Sequence, residues 1–119
     1  MPKPTLCLDF DGVIHSYESG WQGATVIPDP PVPGAIEFIA DALASFKVVI
    51  YSSRSHEPGG IAAMQDWFRR QDAELLLLSV EFPQHKPSAF VTLDDRALTF
   101  TGVWPDIETL KAFKPWNKP

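Results

Sequence analysis

The chain has 119 residues, a length that predicts one domain over residues 1–119. Hydrophobic residues make up 45% of it and charged residues 21%, values that are typical of globular proteins and exclude wholesale disorder. The net charge of −5 disfavours sequence-independent binding along nucleic acid, and the longest apolar run, residues 75–80, is too short to span a membrane.

Two features of the sequence bear on the compartment. The N-terminal Met-Pro-Lys-Pro lacks the apolar segment of a secretory signal. Cys7 is the only cysteine, so the chain cannot form an internal disulfide, which agrees with a reducing environment. We therefore expect a cytoplasmic protein with no membrane partner, present as a monomer or a small homo-oligomer.

The first half of the chain alternates between strand and helix signals. A short apolar run predicts a buried strand over residues 5–8, and residues 12–32 mix polar residues with glycine and proline, which indicates a loop with one hairpin at most. Apolar residues recur at helical spacing over residues 35–46. Residues 47–51, Lys-Val-Val-Ile-Tyr, form the strongest strand signal in the chain.

The second half predicts further helices and shorter strands. An amphipathic helix begins after Pro58-Gly59-Gly60 and ends near Gln71. Asp106 is placed to cap the N-terminus of a last helix that runs to Phe113. Further strands are predicted at residues 75–80, 90–93 and 98–101.

This order of elements predicts the fold class. Alternating helices and continuous apolar strands are typical of an α/β protein with a parallel sheet. We expect a three-layer, Rossmann-like parallel sheet of about five strands, with helices on both faces. In such sheets ligands bind beyond the carboxyl ends of the strands, so the residues that follow each strand are the candidates for function.

Acidic residues follow two of the predicted strands. Asp9 and Asp11 are two residues apart, so an extended backbone would point both carboxylates the same way. Close carboxylates repel one another, and a divalent cation relieves that repulsion. Oxygen ligands in this number suit Mg²⁺, which is therefore the expected cofactor. The candidates for function at the strand ends are Asp9, Asp11, Gly12, Ser52, Ser53, Arg54, Lys86, Asp94 and Asp95.

Four short motifs follow one another along the chain. They are Leu-Cys-Leu-Asp-Phe-Asp-Gly-Val-Ile-His over residues 6–15, Val-Val-Ile-Tyr-Ser over residues 48–52, the lysine of His-Lys-Pro at residue 86, and Val-Thr-Leu-Asp-Asp over residues 91–95. In this order they resemble the motifs of the haloacid dehalogenase-like superfamily, and the resemblance covers nearly the whole chain. It implies a small phosphatase-type member of the superfamily.

The resemblance implies a role for each matching residue. Asp9 would be the nucleophile that forms an aspartyl-phosphate, and Asp11 the general acid and then the general base. Ser52 and Lys86 would bind the phosphoryl oxygens. Mg²⁺ would be held by Asp9, by the main-chain carbonyl of Asp11 and by the Asp94-Asp95 pair, with Asp94 as the favoured direct ligand and Asp95 bound directly or through water.

Four further residues are candidates for substrate binding. Arg54 follows the second motif and is expected either to contact the substrate phosphate or to form an ion pair. Ser53 is a near-equivalent neighbour of Ser52, so the register can shift by one residue. Gly12 allows a turn with positive φ directly after the acids. Trp21 is expected either to stack on a substrate base or sugar or to hold its own loop against the body.

The gaps between the motifs predict that the enzyme carries no cap domain. Neither residues 12–33 nor residues 54–86 leave room for a folded cap beyond the helix and strand already predicted there. A flap over residues 13–28 is the expected cover, with Gly20 and Gly23 as flexible points. The size of the phosphorylated substrate stays open, and nucleic acid is expected only as a substrate end.

The leading interpretation is a Mg²⁺-dependent phosphomonoester hydrolase that acts through an aspartyl-phosphate. One alternative is a narrower version, a phosphatase of polynucleotide ends. The other comes from a different class: a catalytically idle module that binds phosphate or a partner protein on the same fold. A receiver domain is disfavoured because its phosphorylated aspartate follows the third strand and not the first.

Overall fold

The computed structural model describes residues 2–118. Across these residues no helix is both long enough and apolar enough to cross a membrane. In chain order the elements are β1 (Thr5–Leu8), α1 (Ala35–Ala42), β2 (Lys47–Ile50), α2 (Gly60–Arg70), a 3₁₀ helix (Glu74–Leu78), β3 (Val91–Leu93) and α3 (Ile107–Lys111).

The three strands form one parallel sheet in the order β2-β1-β3. Cys7 of β1 lies beside Val49 of β2 on one side and Thr92 of β3 on the other. These are the first, second and fourth strands that the sequence predicts, each placed to within one residue. The α/β class with a parallel sheet is thus confirmed, and all three carboxyl ends open at one edge of the sheet.

The predicted third strand over residues 75–80 is wrong, because this run forms the 3₁₀ helix instead. Leu75 and Leu78 are 78% and 84% exposed, while Leu76 and Leu77 pack against the core. After the 3₁₀ helix the chain first meets the sheet at Glu81, whose N–H donates to Val48 O at 3.1 Å. A short apolar run suits a 3₁₀ turn as well as a strand, and only its neighbours decide between them.

The predicted fifth strand over residues 98–101 is also absent from the part of the chain that the structure describes. The sheet therefore has three strands, not about five. Segment 98–110 is exposed and encloses an apolar groove of about 710 Å³. The last helix, α3, is shorter than predicted, and Asp106 stands at its N-cap position without a side-chain capping bond.

The core lies on one face of the sheet. Leu6, Leu8, Val48 and Ile50 alternate with residues of the opposite face, and all four belong to the buried cluster. The helices add Ile39, Met64, Trp67 and Phe68 to the same cluster. Phe10 follows β1 into this core and packs edge-on against the Trp67 ring, with the ring centres 5.1 Å apart. This packing fixes the position of the chain on either side of Phe10, at Asp9 and Asp11.

The flap, residues 13–28, connects β1 to α1 without forming a hairpin. Its base is closed by two backbone hydrogen bonds, Ser16 N–H to Pro30 O at 2.9 Å and Val32 N–H to Ile14 O at 2.8 Å. A single antiparallel bridge joins His15 to Pro31. The flap is therefore a closed loop whose two ends are held together beside the end of β1.

Candidate active site

Three of the predicted carboxylates meet at the carboxyl edge of the sheet. Asp9 directly follows β1, and Asp94 and Asp95 directly follow β3, so the parallel pairing of the two strands brings them together. Each offers a carboxylate oxygen, and these oxygens all lie within 4.8 Å of one another. The Asp11 side chain is not part of this group.

The electrostatics of this group favour a cation. Burial, the hydrogen bond that Asp9 shares with Asp95 and the charge of Asp94 raise the pKa of Asp9 to about 8. One opposing contact is the Phe10 N–H, which donates to Asp9 Oδ1 at 2.9 Å. The single N–H does not offset the repulsion among the three carboxylates, whereas a divalent ion would. An all-oxygen donor set of this kind fits Mg²⁺.

A cavity of about 270 Å³ opens beside Asp9 and Asp94. Ser52, Ser53 and Lys86 line it, so the structure brings these sequence candidates together with the two carboxylates. Lys86 is exposed and reaches the cavity from the loop between Glu81 and β3, which contains no helix. The cavity thus combines anionic and cationic groups around one open space.

Ser52 and Ser53 both reach this cavity, but their environments differ. Ser52 is buried, and its Oγ accepts a hydrogen bond from the Arg54 N–H at 3.1 Å. That contact occupies a lone pair and leaves the Ser52 O–H free to donate to a ligand. Ser53 is exposed at the rim. Ser52 is therefore the better-held hydroxyl of the two.

Asp11 lies beside the carboxylate group with both of its oxygens engaged. Oδ2 accepts from Arg54 Nε at 2.9 Å, and Oδ1 accepts from Arg54 Nη2 at 3.1 Å and from His15 Nδ1 at 2.9 Å. Asp11 also lines a second cavity, of about 120 Å³, which it shares with Asp9 and Tyr17. Asp9 thus stands between two cavities, with Lys86 in one and Asp11 in the other.

His15 is fully buried and links Asp11 to the flap base. The Asp29 N–H donates to His15 Nε2 at 3.1 Å, so Nε2 is the acceptor and Nδ1 carries the proton that is donated to Asp11. The Asp29 carbonyl in turn accepts from Trp67 Nε1 at 2.9 Å. His15 therefore supports Asp11 through a chain of hydrogen bonds that ends in the core.

Arg54 lies in the protein interior and forms an ion pair with Asp11, which is one of its two expected roles. It is fully buried, and its guanidinium donates to Asp11 and to three flap carbonyls. The donors expected for a substrate phosphate are thus engaged within the chain. Trp21 is half exposed and lies under this guanidinium, 4.8 Å from ring centre to Cζ, which holds the flap to the body.

Gly12 has a structural function at this edge. Its φ is +83°, as the motif predicts, and a β-carbon at this position would overlap the Asp95 carboxylate. The Gly12 carbonyl accepts a hydrogen bond from Trp116 Nε1 at 2.8 Å. Gly12 therefore lets Asp95 approach the turn.

Three further residues are brought to the site by tertiary contacts and lie outside the motifs. Arg96 is exposed and lines both cavities. Tyr17 lines the smaller cavity with a φ of +61°, an unusual value for a tyrosine. Trp116 contacts Gly12 across 104 residues. None of these three residues belongs to the four motifs.

Comparisons with protein-family models, curated proteins and solved structures found no significant match to this chain. The resemblance to the haloacid dehalogenase-like superfamily therefore depends on the four sequence motifs alone.

Proposed function

We propose that this chain is a Mg²⁺-dependent phosphomonoester hydrolase of the haloacid dehalogenase-like type, acting through an aspartyl-phosphate on Asp9. The proposal includes the cap-less, Rossmann-like arrangement of that superfamily. The observation that carries it is the meeting of Asp9, Asp94 and Asp95, within 4.8 Å of one another, beside a cavity that Ser52 and Lys86 also line.

The first chemical step is an attack by an Asp9 carboxylate oxygen on phosphorus. A new O–P bond forms as the bond from phosphorus to the leaving oxygen breaks, and the electron pair of that bond goes to the leaving oxygen. Asp11 would supply a proton to the leaving oxygen from Oδ2, which accepts one hydrogen bond and keeps a second lone pair for that proton. The Ser52 hydroxyl and the Lys86 ammonium stabilise charge on the phosphoryl oxygens, where electrostatic stabilisation contributes most.

The second step returns the enzyme to its starting state. Asp11, now without its proton, takes one from water, and the oxygen of that water attacks phosphorus. The O–P bond to Asp9 breaks and inorganic phosphate is released. The smaller cavity, which Asp11 shares with Asp9, supports this role because it gives Asp11 access to the same reacting centre.

Asp9, Asp94 and Asp95 are the side chains that would hold Mg²⁺. A bound Mg²⁺ supplies charge neutralisation among these carboxylates and toward phosphoryl oxygens. The raised pKa of Asp9 supports this assignment, because burial and the neighbouring carboxylates of Asp95 and Asp94 disfavour its negative charge in the absence of a cation.

The direct experiment measures phosphate release from 4-nitrophenyl phosphate, with Mg²⁺ and with EDTA, by the wild type and by Asp9→Asn. We expect turnover that needs Mg²⁺ and is lost in Asp9→Asn. The control is Asp66→Asn, which removes a carboxylate that is exposed on α2 and ion-paired with Arg69. Equal turnover in EDTA, or in Asp9→Asn, would contradict the proposal.

A second measurement separates strict substrate selectivity from an idle site. Beryllofluoride mimics a phosphoryl group on a carboxylate, so a competent Asp9 should capture it only when Mg²⁺ is present. Failure of wild-type protein both to turn over 4-nitrophenyl phosphate and to bind beryllofluoride would leave the idle binding module as the better interpretation. Capture without turnover would direct the search to small phosphomonoesters and to polynucleotide ends.

A further inference from the structure

Arg54 contacts two parts of the molecule that are far apart in sequence. One edge of its guanidinium, Nε and Nη2, donates to the two oxygens of Asp11 at 2.9 and 3.1 Å. The remaining nitrogen, Nη1, donates to the carbonyls of Gly23 and Ala24 at 2.9 Å and of Val26 at 3.2 Å. One planar group is thus bonded on one side to the carboxylate and on the other to the flap.

The backbone around Arg54 fixes this placement. Its N–H donates to Ser52 Oγ, and its carbonyl lies so close to Gly60 that a β-carbon on residue 60 would overlap it. The side chain is fully buried, so its charge is compensated by Asp11 and by the flap carbonyls and not by water. A planar group with five N–H donors is needed to bind Asp11 and the flap carbonyls at the same time. Lysine cannot replace it, because its side chain has a single nitrogen.

We propose that Arg54 is a positioning residue that couples the flap to Asp11, so that the placement of residues 23–26 and the orientation of the Asp11 carboxylate depend on one guanidinium group. This inference rests on the proposed function for the part that Asp11 plays in catalysis. The coupling itself rests on the contacts of Arg54 alone. Arg54 acts through Asp11, and its side chain makes no hydrogen bond to the nucleophile Asp9.

The activity test uses Arg54→Lys and two substrates, 4-nitrophenyl phosphate and phenyl phosphate. Phenolate is the poorer leaving group, so its release depends more on a proton from Asp11. We expect the ratio of kcat/KM for the nitrophenyl ester over the phenyl ester to rise about tenfold in Arg54→Lys and further in Asp11→Asn. General damage to the fold would lower both values of kcat/KM together and leave the ratio unchanged.

Arg70 offers a matched control. It also holds the flap, through a hydrogen bond from Nη2 to Ile27 O at 3.2 Å, but it makes no contact with Asp11. Arg70→Gln therefore loosens the flap without acting on the carboxylate. We expect its leaving-group ratio to equal that of the wild type.

The second test needs no catalytic activity. The Val26 N–H donates to Gly23 O at 3.2 Å inside the flap, so its hydrogen exchange reports the order of that segment. We expect exchange at Val26 to become about tenfold faster in Arg54→Lys and also in Asp11→Asn, which lies outside the flap. The double variant should be no faster than the faster single variant, because both changes break one connection.

Two results would overturn the inference. The first is a wild-type exchange rate at Val26 in Asp11→Asn. The second is a leaving-group ratio that changes in Asp11→Asn but not in Arg54→Lys. If the wild type hydrolyses neither ester and does not bind beryllofluoride, the proposed function fails, and the exchange rates by themselves decide whether Arg54 couples the flap to Asp11.

Discussion

The Asp95 carboxylate occupies the space that a β-carbon on residue 12 would fill. Gly12 also adopts a φ of +83°, a value that residues other than glycine rarely adopt. The glycine of the first motif and the second acid of the fourth motif are therefore fitted to one another. This contact joins the loop after β1 to the loop after β3 at the point where the carboxylates meet.

Gly12→Ala is expected to destabilise the fold and to weaken the response to Mg²⁺. A positive φ costs alanine about 1–2 kcal/mol, and displacement of Asp95 adds to that cost. Urea unfolding, with and without Mg²⁺, measures both effects. Gly20→Ala is the matched control, since Gly20 has a φ of +73° and a β-carbon there would meet nothing within 4 Å. Equal losses of stability and equal Mg²⁺ responses in the two variants would contradict the fit between Gly12 and Asp95.

The stability of the metal-free protein should fall with rising pH because of Asp9. The pKa of Asp9 is about 8 in the folded protein against an ordinary 3.8, so between these values the folded state keeps a proton that the unfolded state has released. The unfolded state then binds fewer protons, and the free energy of unfolding decreases as pH rises through this window. Urea unfolding in EDTA at pH 6, 7 and 8 tests this, with Asp9→Asn expected to show a flatter dependence.

The same proton competes with Mg²⁺. Since the metal needs the ionised carboxylate, its affinity should increase with pH up to about 8 and then level off. Titration calorimetry in buffers of different ionisation enthalpy would detect the proton released on binding. A Mg²⁺ affinity that stays constant between pH 6 and 8 would remove Asp9 from the ligand set.

Asp29 should stabilise the flap at neutral pH. Burial by itself would raise the pKa of Asp29, but hydrogen bonds from the Ser19 hydroxyl and N–H outweigh burial and hold the pKa below its ordinary value of 3.8. Its contribution is therefore complete above about pH 4 and is lost as pH falls through the lowered folded pKa. Asp29→Asn should cost about 1–3 kcal/mol at pH 7, with a smaller difference from wild type below pH 4.

Urea unfolding of the wild type and of Asp29→Asn between pH 7 and pH 3 measures this difference. Ser19→Ala is the partner variant, because it removes one of the two donors and should retain part of the effect. A difference between wild type and Asp29→Asn that is the same at both ends of the pH range would refute the assignment.

Lys86→Ala should reduce activity and leave stability unchanged. Lys86 is exposed on a loop, so its removal should change the free energy of unfolding by no more than about 0.5 kcal/mol. Loss of its charge beside the phosphoryl oxygens should lower kcat/KM for 4-nitrophenyl phosphate by about 10²- to 10³-fold. Lys47→Ala, which breaks only the exposed ion pair with Glu81, is the control. Comparable activity in the two variants would contradict the role of Lys86.

The local sequence was sufficient to predict the three strands and α2, although the residues of β3 are exposed and not buried. The apolar runs at residues 5–8, 47–50 and 91–93 form the strands, and the amphipathic pattern forms α2. It was not sufficient for the leucines of the 3₁₀ helix. Their placement depends on the left-handed turn at Asp72, where φ is +56°, and on the core that receives Leu76 and Leu77.

The sequence by itself determined which chemical groups lie at the strand ends. Parallel strands bring their carboxyl ends to one edge of the sheet whatever their side chains are, so the groups that follow each strand meet there. The tertiary structure decided which of these groups face the cavities and which face each other. Arg54 follows Ser52 in sequence, yet the flap carbonyls about 30 residues earlier and the Asp11 carboxylate enclose it. Such long-range hydrogen bonds leave no periodic signal along the chain, since they depend on where a loop returns to the sheet.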